Sequence, residues 1–390
     1  MLVPMRCLLS FLLALPLTAT AQAVAPWALE PSETTADLRG VHAVGGGVVW
    51  ASGAAGTVLR SQDSGFEWQQ CAIPPGAEKL DFRAVWAWDD ETAIVMSSGP
   101  GAQSRLYKTT DGCAHWQLVY TNREPGGFFD ALIFLDKRRG FVLGDPTRSG
   151  RSVAPIEGGY FAFRIRATDD GGETWAPVVD PEFGPLGKNL LPLSNEAFFA
   201  ASNSSVAAID GLMWLGTSHS RVLRLPVSSA PFQAALCGGA IDPQSHSCGI
   251  PWLDWTSAQA PMAGGNATNG IFSLAFRNAT SGMAVGGDYA KPGVKTGTAA
   301  WTGDGGRHWT AAAALPGGYR SAVSWDADHG LWVAAGPNGS DTSRDDGRTW
   351  QPLEHAPADT PKGGEWNALS LPWAVGPHGR IGKLNPNALK

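Results

Sequence analysis

Six charged residues stand where a recurring pattern opens one strand or ends the next: Arg39, Arg83, Arg320, Asp130, Asp145 and Asp288. Guanidinium groups gathered in one place offer forked N–H donors that match a carboxylate. Asp145 in "LGDP" and Asp288 in "GGDY" each follow a glycine, and Tyr289 adjoins the second. Two carboxylates beside an aromatic ring suit a sugar, and at the right separation they can serve glycoside hydrolysis. The competing reading is that the arginines pair with Asp130, Asp145 and Asp288 and fix the strands. These residues are far apart in the chain, so either chemistry needs an architecture that brings them together.

That architecture is written in five octets: "SQDSGFEW" (61–68), "TTDGCAHW" (109–116), "TDDGGETW" (168–175), "TGDGGRHW" (302–309) and "SRDDGRTW" (343–350). They share Ser/Thr-x-Asp-x-Gly-x-x-Trp, and only Cys113 breaks the glycine column. A tight hairpin needs a residue that tolerates positive φ, the Asp63, Asp111, Asp170, Asp304 and Asp345 carboxylates can accept the turn's N–H groups, and the tryptophan buries a large surface. The octets are therefore structural. Around each one the same order recurs: an opening strand, a short apolar strand ending in glycine, a strand running into the octet and a last strand after its Trp. Periods of about 40–50 residues with four short strands predict an all-β propeller.

Five octet blades fall at 38–71, 82–120, 128–180, 271–315 and 319–354. A degenerate blade without an octet occupies 190–257, with "EAFFAAS" (196–202) expected as its opening strand. The tail 365–384 supplies three strands, and "PWALEP" (26–31) is expected to complete that last blade and close the ring. Seven blades result, with six and eight as the alternatives. In such a ring the loops entering inner strands and leaving second strands share one face, and the octet turns lie on the other. Arg39, Arg83, Asp130 and Arg320 open inner strands while Asp145 and Asp288 end second strands, so all are expected at one channel mouth.

Composition narrows the function. The 390 residues carry a net charge of −6 with 49 Gly, 28 Pro and 17 Trp, which fits many turns and short strands and gives no basic footprint for nucleic acid. Arg6 followed by "LLSFLLALPL" and "AQA" (21–23) reads as an export signal over 1–23, leaving 24–390 as one propeller, periplasmic or secreted and monomeric, with no further membrane span. Cys71, Cys113, Cys237 and Cys248 then remain, an even number in an oxidising compartment. They allow three pairings, of which Cys71–Cys113 with Cys237–Cys248 is favoured because consecutive octets would be spatial neighbours. No phosphate loop, dinucleotide fingerprint or metal-ligand spacing is present, so no cofactor and no metal are expected.

The octets resemble the Asp-box (BNR) repeat of sialidase-like propellers. The longer pattern, clearest in "LRGV…WASGAAGTVLRSQDSGFEW", resembles the photosystem II stability/assembly factor family. The first resemblance implies a carbohydrate-active protein, a glycoside hydrolase or lectin. The second implies a non-catalytic factor that recognises a protein partner. "FRIR" (163–166) resembles the sialidase Arg-Ile-Pro signature but lacks its proline and lies in the third blade. The expectation is therefore a partner-binding propeller, with the carbohydrate-active protein as the alternative.

Overall fold

A computed structural model describes residues 25–148, 161–178, 191–227, 255–353 and 365–389. The export signal over 1–23 and the Cys237–Cys248 pair lie outside these residues. The described chain forms seven four-stranded antiparallel sheets, each ordered as its strands follow in sequence, except the last. Blade one runs Leu38–Gly45, Val48–Gly53, Val58–Ser61 and Gln69–Gln70, and the octet blades repeat this plan at the expected positions.

In blade seven the outer strand is Trp27–Glu30, from the other end of the chain. It pairs antiparallel with Ile381–Leu384, Trp27 opposite Leu384 and Glu30 opposite Ile381. Trp27 also donates its indole N–H to Ser340 Oγ at 3.0 Å and lies 5.1 Å from the Trp366 ring. The ring closes here, and the strand that would have been a bare edge is paired.

The octet turns repeat one set of bonds. In "TGDGGRHW" the Thr302 hydroxyl accepts the Gly306 N–H at 2.9 Å, and Asp304 Oδ1 accepts the His308 N–H at 3.0 Å. The Ser/Thr that opens each octet is thus a second acceptor, a role the sequence reading did not give it. The glycine is needed for two reasons. Gly65, Gly172, Gly306 and Gly347 all have positive φ. A Cβ on Gly65 would also lie 2.0 Å from the Trp373 ring of blade seven, and one on Gly347 would lie 1.9 Å from Met283 of blade five. Each octet turn therefore presses on the second strand of the preceding blade.

Cys113 takes the same left-handed conformation, φ 67°. It forms a disulfide to Cys71, just beyond the outer strand of blade one, with Cα atoms 5.3 Å apart. In this one octet a covalent bond stands where the others have glycine contact.

Neighbouring inner strands have unpaired N–H groups on their channel side, and side chains satisfy several of them across the blades. The Ala87 N–H donates to His42 Nδ1 at 2.8 Å, Ala43 N–H to Ser370 Oγ at 2.9 Å, and Val323 N–H to Ser273 Oγ at 2.9 Å. His42 must be neutral to accept, and its burial lowers its pKa to about 4.

Candidate functional site

One prediction about the degenerate blade fails in an informative way. "EAFFAAS" is not its inner strand; that strand is Val206–Ile209, paired with Leu212–Gly216. Residues 195–205 instead form a strap over the channel mouth, bracketed by Asn195 and Asn203, each with φ 61°. Asparagine tolerates this left-handed conformation better than most residues.

The strap bonds to four other blades. Phe198 N–H donates to Asp145 Oδ1 at 2.9 Å in blade three, and Arg83 Nη1 in blade two donates to the Ala200 carbonyl at 3.2 Å. Ser202 Oγ donates to the Ser321 carbonyl at 2.6 Å in blade six. The Phe199 ring lies flat on Phe272 of blade five, with centroids 3.7 Å apart. Glu196 anchors the near end, buried and paired with Arg221. Long-range bonds thus override the local strand reading of this apolar run.

Above the strap is a cavity of about 610 Å³, whose lining includes Arg39, Arg83, Asp130, Asp145, Tyr289 and Tyr319. The structure brings five of the seven predicted mouth residues together and leaves two outside. Arg320 turns away: it is 2% exposed and forms an ion pair with Asp341, equally buried, while donating to the Tyr319 carbonyl at 3.0 Å. Asp288 accepts the Ala290 N–H at 3.0 Å in a local turn and does not line the cavity.

The remaining arginines differ from each other. Arg83 is engaged, bonded to Asp81 at 2.8 Å and to the strap. Arg39 has its Nε buried with no hydrogen-bond partner among the described residues. None of the three arginines forms an ion pair with Asp130, Asp145 or Asp288 among the described salt bridges.

The acids pair instead with each other. Both line the same cavity, and each shifts the proton affinity of the other. Burial, reinforced by the Asp145 charge and eased by Arg83, raises the Asp130 pKa well above the carboxylate range. Burial raises Asp145 to about 6, against the pull of the Phe198 N–H and of Asp130. Asp130 Oδ2 has no donor in the protein. Asp130 therefore keeps a proton and gives it to Asp145, so the pair carries one charge at neutral pH.

Asp145 and Asp288, the pair considered from sequence, do not share the cavity. Arg164 and Arg166 of "FRIR" are both held by Glu124 at 2.7 Å. No group of three or more His, Cys, Asp or Glu side chains able to hold a metal occurs among the described residues. No described helix is long and apolar enough to cross a membrane.

No family model matches the sequence, and no curated protein matches it. Solved structures do match in fold. YCF48 bound to D1 peptide superposes with a TM-score of 0.58 at 13% identity, over 93% of this chain and 98% of that one. YCF48 from Cyanidioschyzon merolae gives 0.57 at 16% identity, over 93% of this chain and all of that one. An ancestral GH74 enzyme gives 0.51 at 14% identity, over 94% of this chain but 47% of that one. At these identities the likeness is one of fold.

Proposed function

We propose that this protein is an exported, non-catalytic propeller that binds a protein partner through its channel mouth, with Arg39 receiving an acidic group of that partner. The observation that carries the reading is that Arg39 lines the cavity with no hydrogen-bond or ion-pair partner among the described residues, while the other arginine there is already engaged. A bound carboxylate would supply the missing partner to this guanidinium through charge-assisted hydrogen bonds. Binding of a peptide by YCF48, a propeller of like fold, supports a peptide as the ligand class. Export is supported by the N-terminal run after Arg6 and by a disulfide between blades.

The test is binding of a fluorescent acidic decapeptide built from Glu and Ser, against its Lys counterpart. Saturable binding of the acidic peptide that falls about tenfold or more in Arg39→Ala is expected, the size of a lost charge-assisted hydrogen bond. Equal affinity for both peptides, or no effect of the substitution, would refute the reading. A sugar-binding function is the second reading, favoured by the half-exposed Tyr289 ring in the same cavity as Asp145. A glycan array with Tyr289→Ala as control decides it.

A further inference from the structure

The cavity has two unlike sides. On one, Phe199 and Phe272 are stacked, the Tyr319 ring meets Phe272 edge-on at 4.8 Å, and Tyr289, 50% exposed, does so at 6.0 Å. Arg39 belongs to this side, since its charge acts on the Tyr319 phenol. On the other side the Asp130–Asp145 pair sits near Arg83. The lining residues that can ionise are these two arginines, these two acids and the two tyrosines.

We propose that the cavity takes a carboxylate carried beside an aromatic ring, with the carboxylate on Arg39, the ring along the Phe199–Tyr289 wall, and the acid pair setting how tightly it is held. The inference rests on the mouth being the binding face. Arg39 alone among the arginines lining the mouth has no hydrogen-bond or ion-pair partner among the described residues, and a guanidinium matches a planar carboxylate. Aromatic side chains stack offset or meet edge-on, and the half-exposed Tyr289 ring offers such a surface at the rim. The volume, about 610 Å³, fits a side chain or two of a peptide rather than a folded domain.

The acid pair gives this ligand class a signature. With the pair protonated the lining carries two arginines and no anion; with Asp145 ionised it carries two arginines and one anion. A bound carboxylate is then repelled by that anion in a partly buried site. Affinity should fall as pH rises through about 6. A ligand without a carboxylate would show no such fall.

Three small probes separate the cases by calorimetry on either side of that pH. N-acetylphenylalanine offers a terminal carboxylate, N-acetyl-aspartyl-phenylalaninamide offers a side-chain carboxylate, and N-acetylphenylalaninamide offers neither. At least one acid should bind about tenfold tighter than the amide, and which acid it is identifies the source of the carboxylate. Its affinity should drop severalfold above the midpoint, and Asp145→Asn should flatten that drop. Arg39→Ala should remove the preference for acid over amide. Tyr289→Ala, a change at the exposed rim, should weaken the aromatic acids severalfold.

Equal binding of acid and amide, or an unchanged pH slope in Asp145→Asn with a native melt, would overturn the proposal. Should Asp145→Asn not fold, the wild-type slope and Tyr289→Ala still decide. If the Glu/Ser decapeptide binds through Arg39 and these probes do not, the ligand class is wrong and the partner-binding reading survives. If none binds, both fall.

Discussion

Cys113 holds a left-handed conformation that its four sister positions give to glycine, and it also closes a bridge to Cys71. Two substitutions separate these effects. The bridge spans 42 residues, and constraining a loop of that size in the unfolded chain is worth about 4 kcal/mol at room temperature. A non-glycine residue in the left-handed region costs about 1–2 kcal/mol. Cys71→Ala removes the bridge and leaves Cys113 strained, so it should cost about 4 kcal/mol. Cys113→Gly removes the same bridge but relieves the strain, so it should cost about 2–3 kcal/mol. Each variant loses one buried sulfur.

The measurement is guanidinium unfolding without reductant, followed by tryptophan fluorescence and checked against circular dichroism for a single transition. Cys71→Ala should unfold at the lowest denaturant, Cys113→Gly between it and wild type, and reduced wild type near Cys71→Ala. If Cys113→Gly unfolds at or below the midpoint of Cys71→Ala, the strain argument is refuted. If both match wild type under oxidising conditions, the bridge does not form in the folded protein.

Other outcomes follow from the same geometry. Arg320→Ala leaves Asp341 as a buried unpaired charge and should cost about 3–5 kcal/mol, while Arg39→Ala should shift stability by about 0.5 kcal/mol or less; thermal melts compare them. Asp304→Ala removes the acceptor of the His308 N–H and should cost about 1–2 kcal/mol without touching mouth binding. Deleting residues 25–33 uncovers the Ile381–Leu384 edge and should produce association visible by light scattering. Neutral buried His42 loses stability as pH falls from 6.5 toward about 4, whereas Asp145, raised from 3.8 to about 6, gains over that window, as does Asp130. The melting temperature should therefore rise on acidification in His42→Gln and fall in the Asp130→Asn/Asp145→Asn double variant, with wild type between; parallel profiles would contradict this.

What the sequence disclosed was what local chemistry encodes. An octet turn is stabilised by bonds between residues two to four apart, so Thr302, Asp304, Gly306 and Trp309 mark it without reference to the rest of the chain. Ring closure was legible for a similar reason, because "PWALEP" resembles the strands that follow each octet tryptophan. The strap was not legible. Its short apolar run looks like a strand, and the bonds that decide otherwise go to Asp145, Arg83 and Ser321, which no local pattern can announce.

Arg320 lies between these cases. Its position in an opening strand placed it at the mouth with Arg39 and Arg83, yet its partner is Asp341 in the third strand of its own blade. A signal for that pairing was present. Asp341 stands two residues before the octet serine, where Leu59, Tyr107 and Ala300 stand buried in three other blades and Arg166, paired with Glu124, stands in blade three. A buried carboxylate where three of the other four octet blades place an uncharged side chain must find a cation or lose its charge. Arg39 has no such partner in the corresponding column of blade one, where Leu59 takes the place of Asp341. The charge that blade six neutralises internally is left at the mouth in blade one, and that difference is why the proposed ligand reading rests on Arg39 rather than on the three arginines together.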